Sequence, residues 1–296
     1  MPSGVVAVGL LAGLTGCSSS GADGAAGGKI SLVASTDVWG DVAQQVGGDL
    51  VDVTSIITDP AADPHSYEAD AKVKLELSRA SVVVENGGGY DDFVGTLLDS
   101  LDDSGKPAVV DAVQVSGKGA ADGAQLNEHV WYDFPTVAKV ADAIAAELGR
   151  ADSANAAAFR TNAAAFAAKL QPLQAQEAAV KAAHAGTGVA VTEPVPLYLL
   201  QACGLTDETP QAFSEAIEEG TDVSASTLAQ TLDLFTDRKV ALLVYNEQTA
   251  GPETERVLSA AKSAGVGVVP VTETLPDGQD YLSWMTANLD AVSAAL

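Results

Sequence analysis

From Lys29 to the C-terminus, short apolar runs alternate with amphipathic segments, and the alternation breaks once, between Asp152 and His184. Val- and Ile-rich runs at 30–34, 51–57, 81–85, 108–110, 188–192, 240–245 and 266–271 predict strands. Most are separated by helix-period patterns. Val137, Val140, Ala141, Ile144 and Leu148 share one helical face, with Asp133 and Pro135 as start signals and Gly149 as the stop; Pro252 and Gly265 bracket another helix. Such alternation predicts an α/β fold with mainly parallel sheets. At roughly 150 residues per domain, 296 residues allow about two domains, each with a core of its own.

The interruption reads as helix throughout. Asp152 or Ser153 can cap an Ala-rich segment in which Phe159, Phe166, Leu173 and Val180 recur every seven residues along one stripe. At 1.5 Å per residue, about 30 residues reach roughly 45 Å, more than one small domain requires, so the segment is expected to bridge two lobes. Pro172 should kink or split it. These signals divide the chain into a lobe at 29–151, a linking helix at 152–184 and a lobe at 185–296, with no sequence repeat relating the lobes.

Ahead of the first strand, residues 5–14 form an apolar run too short to span a bilayer and sized for the core of a secretory signal. It ends in Leu14-Thr15-Gly16-Cys17, which resembles a bacterial lipobox. The expectation is a signal peptide at 1–16, a lipid on Cys17 and a Gly/Ala/Ser tether over 17–28. The pattern departs in one respect: residues 1–14 hold no Lys or Arg, as a start placed downstream of the natural one would leave it. With Cys17 lipidated, Cys203 has no disulfide partner and reads as a small buried hydrophobe.

Charge narrows the function. Against 40 Asp and Glu stand 15 Lys and Arg, a net charge of -25, so the clustered bases that hold nucleic acid or anionic lipid are missing. The 3 histidines can be weighed singly. His65 lies in a proline-stiffened acidic loop after a strand, His129 just ahead of a capped helix, and His184 at a helix C-terminus, where an imidazole is adequately explained by the helix dipole. Glu193 and Glu273 each follow a strand, where α/β sheets collect ligands. Singly, a post-strand Glu is more often a cap or a solvated surface residue than a ligand.

Taken together, these segments resemble the zinc/manganese ABC-transporter substrate-binding lipoproteins, periplasmic metal-binding proteins whose two lobes are joined by a long helix. The carriers are Asp63-Pro64-His65-Ser66-Tyr67-Glu68, the run from Ala80 through Asn86-Gly87-Gly88-Gly89-Tyr90, Glu128-His129-Val130-Trp131-Tyr132-Asp133, Thr192-Glu193-Pro194 and Thr272-Glu273-Thr274-Leu275-Pro276. The likeness runs from Lys29 to Leu296. It implies His65, His129, Glu193 and Glu273 as metal ligands, with Glu193 where zinc-type members usually carry His and manganese-type members Glu. Glu273 stands where Asp is usual, and Glu247 is its nearby competitor. The His-rich loop of many zinc-type members has no counterpart in residues 116–127.

The implied function is extracytoplasmic capture of a divalent metal, Mn²⁺ ahead of Zn²⁺ and Fe²⁺, by a lipid-anchored monomer that hands it to a membrane ABC permease without covalent chemistry. Two imidazoles and two carboxylates leave no net charge around a divalent ion, and oxygen-rich ligation suits Mn²⁺. Histidine ligation predicts that affinity falls as pH drops through about 6.5. A metallohydrolase is the second reading, weakened because no His-Glu-x-x-His motif is present. Surface adhesion is a third, implied by the family's manganese-type members and unsupported by any aromatic or basic patch in the sequence.

Overall fold

A computed structural model describes residues 1, 4, 28–60, 62, 64–119 and 126–296. The signal peptide, Cys17 and nearly all of the tether lie outside the described residues. Strands β1 (Ile30–Thr36), β2 (Val51–Ile57), β3 (Val82–Glu85) and β4 (Ala108–Asp111) form one sheet in the order β2-β1-β3-β4. Its helices are α1 (Asp37–Gly47), α2 (Ala71–Arg79), α3 (Asp92–Asp99), α4 (Ala112–Ser116) and α5 (Phe134–Ala151). Helix α6 (Ala156–His184) follows. The second sheet has β5 (Gly188–Val191), β6 (Thr206–Asp207), β7 (Leu242–Asn246) and β8 (Gly267–Val271) in the order β6-β5-β7-β8, with α7 (Leu197–Ala202), α8 (Gln211–Glu218), α9 (Ala225–Thr236), α10 (Pro252–Ala264) and α11 (Tyr281–Ala295). Every strand pair is parallel.

The two sheets share one topology, so each reverses winding beside its first strand, and ligands in such sheets gather beyond the strand carboxyl ends. The central strands are buried on both faces because helices cover both: Leu32 and Ala34 of β1 join the main core while Val33 joins the cluster under α2 and α3. Of the observed strands, only the two-residue β6 was absent from the sequence reading, being too short to show a period.

Helix signals hold where they are local. Asp133 accepts the Thr136 N–H at 3.1 Å to start α5, which runs past Gly149 to Ala151, and Gly265 closes α10 with φ +73°. The start of α6 differs from expectation. Asp152 does not cap it; its carboxylate instead accepts the Ala154 N–H at 3.1 Å, shaping the turn out of α5, and Asn155 stands at the cap position. Helix α6 is also unsplit: its 29 residues, about 44 Å, run through Pro172. Buried Phe166, Leu170, Leu173 and Val180 continue the stripe on both sides of the proline, so packing holds the helix where propensity would end it.

Each lobe has an outer cluster of its own, and a third, larger core is shared between them. One cluster runs from Ile30 in β1 through Phe166 in α6 to Leu242 in β7 and Val292 in α11. Aromatic rings make the join: Trp284 packs edge-on against Tyr132 and Tyr281, and Tyr281 lies against Phe166. The Tyr281 hydroxyl donates to Trp131 O at 2.6 Å and the Tyr132 hydroxyl to Thr272 O at 2.8 Å, giving these buried phenols partners across the join. Cys203 is buried and free, and burial, then the nearby Glu177, pushes its thiol up to about 12, as expected of an inert packing residue. Among the described residues, no helix is long and apolar enough to cross a membrane.

Candidate metal centre

Loops beyond the strand ends of both sheets meet in a cleft. Glu193 follows β5, Asn246 ends β7 and Glu273 follows β8, while His129 enters from the first lobe on the segment ahead of α5. Asn246 holds the carboxylates together: its Nδ2 donates to Glu193 Oε2 at 2.5 Å and to Glu273 Oε1 at 2.8 Å. Thr249 Oγ1 donates to the same Glu193 oxygen. Asn246 is itself fixed, its N–H donating to Thr192 Oγ1 at 2.9 Å. Two acids that would repel each other are thereby held side by side.

His129 faces this pair. Asn127 Oδ1 accepts the His129 backbone N–H at 3.0 Å and lies 2.9 Å from Nδ1, which makes Nδ1 a donor and turns Nε2 toward Glu273. Nε2 stands 3.8 Å from Glu273 Oε2, too far for a hydrogen bond, and neither buried atom has a hydrogen-bond partner among the described residues. The ring is wedged against Trp131 and Tyr90. Behind it, Asp91 accepts the Asn86 and Gly87 N–H groups at 2.7 and 2.8 Å, and Asn86 Nδ2 donates to Glu128 O at 3.0 Å, fixing the backbone that carries His129. Gly88, at φ +71°, lets that turn pass close beneath Glu128, whose Cβ a side chain there would meet at 3.2 Å.

His65 sits apart from the inner trio. It occupies a short 3₁₀ turn, Pro64–Ser66, exposed at the rim, and Glu128 lies beside it, with Nε2 to Oε1 at 3.6 Å. Glu218, at the end of α8, brings a further carboxylate 3.6 Å from His129 Nδ1. Ligand atoms of His65, Glu128, His129 and Glu218 all lie within 4.8 Å of one another. A cavity of about 690 Å³ opens onto His65, Glu128, Glu218 and Thr249.

The electrostatics are those of a site short of positive charge. Burial lowers the His129 pKa, but Glu273 beside it and the charges of Glu128 and Glu218 overcome this and raise it to about 9. Burial, then the Glu273 charge, pushes Glu193 up to about 7. Burial pushes Glu218 up to about 8, against the pull of His129. For Glu273 the balance is reversed: burial raises it, yet His129, His65 and the Asn246 hydrogen bond hold it below the ordinary carboxylate range. No Lys or Arg is among the leading causes of any of these shifts.

Two imidazoles and a surplus of carboxylates around orphaned buried atoms are what a multivalent cation would satisfy. The profile of the zinc-uptake complex component A periplasmic (ZnuA) family matches residues 32–295. The chain belongs to this family. It is 31% identical to the manganese-binding lipoprotein MntA of Bacillus subtilis over 177 residues, 58% of this chain and 58% of that protein. It is 26% identical to the iron ABC transporter substrate-binding lipoprotein MtsA of Streptococcus pyogenes over 96% of this chain and 94% of that one. Its fold superposes on the Mn²⁺ complex of FpvC from Pseudomonas aeruginosa with a TM-score of 0.74, at 26% identity, covering 90% of this chain and 98% of that one. Family members are substrate-binding proteins of metal transport.

Against the sequence expectation, the cleft brings His129, Glu193 and Glu273 together, with His65 at its rim. Glu247, the competitor of Glu273, is exposed. Three contributors went unnoticed in the sequence. Glu128 was visible beside His129 but not counted as charge; Glu218 lies on a helix rather than after a strand; Asn246 follows a strand, yet only the fold reveals which acids it bridges. Beyond the two carboxylates of the sequence reading, Glu128 and Glu218 place two more with ligand atoms within 4.8 Å of those of His65 and His129.

Proposed function

We propose that this chain is the substrate-binding component of an ABC importer that captures a divalent transition metal between its lobes, Mn²⁺ ahead of Zn²⁺ and then Fe²⁺, with His65, His129, Glu193 and Glu273 as ligands. It works as a monomer anchored by lipid on Cys17 at the extracytoplasmic face of the plasma membrane, releases the ion to a membrane permease and performs no covalent chemistry. The lobes are residues 29–151 and 185–296, joined by residues 152–184. The observation carrying the reading is the pair of buried, unpartnered atoms His129 Nε2 and Glu273 Oε2, 3.8 Å apart across the lobes. A cation between them would satisfy both and offset the Glu193 charge. Carboxylate-rich ligation favours a harder ion with more than four donors, whereas raw affinity for divalent metals tends toward zinc, so selectivity rests on geometry and supply. The relative named for manganese supports placing Mn²⁺ first.

The test offers Mn²⁺ and Zn²⁺ together to metal-free protein, counts bound metal by mass spectrometry, and pairs this with metal-restricted growth of a strain lacking the gene. Rescue by Mn²⁺ and orders-of-magnitude loss of affinity in His65→Ala and Glu193→Ala, with His184→Ala unchanged, are the expected results. Rescue by Zn²⁺ alone makes the protein a zinc-specific component of the same importer class; unchanged affinity in both ligand variants rejects the assignment.

A further inference from the structure

The cleft contains two carboxylate pairs that differ in access. Glu193 and Glu273 are sealed inside, 2% and 6% exposed, clamped by Asn246. Glu128 and Glu218 border the solvent-connected cavity with His65. Glu218 Oε1 is buried with no hydrogen-bond partner among the described residues. Apart from His129, the leading charges acting on Glu218 are other carboxylates. It also ends α8 with no basic residue in the last turn, the wrong end of a helix dipole for an acid. His129, with its side chain 1% exposed, stands between the pairs, its Nδ1 3.6 Å from Glu218 Oε1 and its unpartnered Nε2 3.8 Å from Glu273 Oε2.

We propose that Glu128 and Glu218, with His65 and His129, form an outer holding station for the divalent cation, which then exchanges this carboxylate pair for Glu193 and Glu273 while keeping the two imidazoles. This rests on the metal-capture reading above. Both stations present two carboxylates and two imidazoles, so a divalent ion is charge-neutral in either, and the transfer needs no step with an uncompensated buried charge. The ion changes oxygen ligands one at a time instead of shedding its coordination shell in the cleft.

The test is stopped-flow association and release of Mn²⁺ and of Zn²⁺, each against a chromophoric chelator, with wild-type protein, the double variant Glu128→Gln/Glu218→Gln and the control Glu215→Gln. The amides keep side-chain shape, and removing an acid from a helix C-terminus costs no helix stability. The double variant should slow both association and release about tenfold. The Mn²⁺ electron paramagnetic resonance spectrum should match wild type, and the slowing should persist at 1 M salt, where charges are screened beyond about 3 Å. Wild-type rates in the double variant overturn the station, as does slowing that vanishes at 1 M salt or is matched by Glu215→Gln. Lost affinity with an altered spectrum also overturns it, making the outer acids permanent ligands. Wild-type protein that binds neither metal overturns the metal-capture reading itself.

Discussion

Glu273 Oε2 faces His129 Nε2 across the lobe boundary at 3.8 Å, and neither atom finds a hydrogen-bond partner among the described residues. The ion pair is held open by what stands behind each group: Asn127 fixes the imidazole through Nδ1, and Asn246 fixes the carboxylate through Oε1. Second partners of this kind set ligand orientation before a metal arrives.

Binding at Nε2 must displace a proton. With the His129 pKa raised to about 9, the metal-free site is protonated there throughout the neutral range. Protons therefore compete below about pH 9, not only below 6.5. Mn²⁺ affinity should fall about tenfold per pH unit between 8.5 and 7. Calorimetry in buffers of different ionisation enthalpy should find about one proton released per ion at pH 7.5; no release would show that His129 is neutral or not a ligand.

Removing the Asn246 clamp should cost affinity without removing a ligand. In Asn246→Ala, Glu193 and Glu273 lose their common donor and are free to separate. Loss of an orienting partner typically weakens metal binding about 10–100-fold. Titration against a competing chelator measures it, and Glu247→Ala, at an exposed neighbour, should bind as wild type does. Equal losses in the two variants would deny Asn246 its positioning role.

Local chemistry explains what was legible beforehand. The Asp133–Pro135 start of α5 and the Pro252–Gly265 brackets of α10 depend on neighbours in sequence, as do the apolar runs of the strands. His65 and His129 stood out because histidine is scarce, and the stiff acidic loop of His65 is no place for a core residue. Glu218 gave no such signal: it ends an amphipathic helix in an acidic chain, and its meaning comes from α8 being folded against His129. Pro172 does not split α6 because the stripe from Phe166 to Leu173, packed on both sides of it, outweighs one lost hydrogen bond.

Buried acids should make the metal-free protein less stable as pH rises. Burial is the first cause raising Glu85, Glu177 and Glu193 to about 7 and Glu218 to about 8 from an ordinary 4.5. A raised folded-state pKa means the fold holds the proton more tightly, so its stabilisation is complete below 4.5 and lost as pH climbs through 7–8. His129 acts in the same direction between 6.5 and 9. The Tm without metal should drop about 5 °C or more from pH 6 to 9. Saturating Mn²⁺ should flatten the share due to Glu193, Glu218 and His129, and Glu177→Gln the share due to the carboxyl buried on α6. A Tm that rises over this range would contradict the burial of these acids.

The continuous core makes one prediction that separate lobes would not. Trp284 is 2% exposed and sits between Tyr132 from the first lobe and Tyr281 from its own helix. Trp284→Ala should cost about 3–5 kcal/mol, the range for deleting a buried aromatic side chain. Because Phe166, Tyr132 and Tyr281 belong to the same cluster as the strands of both sheets, the loss should lower a single transition for the whole chain. Calorimetry of the metal-free variant decides the matter: one peak with calorimetric and van't Hoff enthalpies in agreement fits a shared core. Two resolved peaks, with only one moved by the substitution, would mean that the lobes unfold independently and that the aromatic join is a contact between two folded bodies.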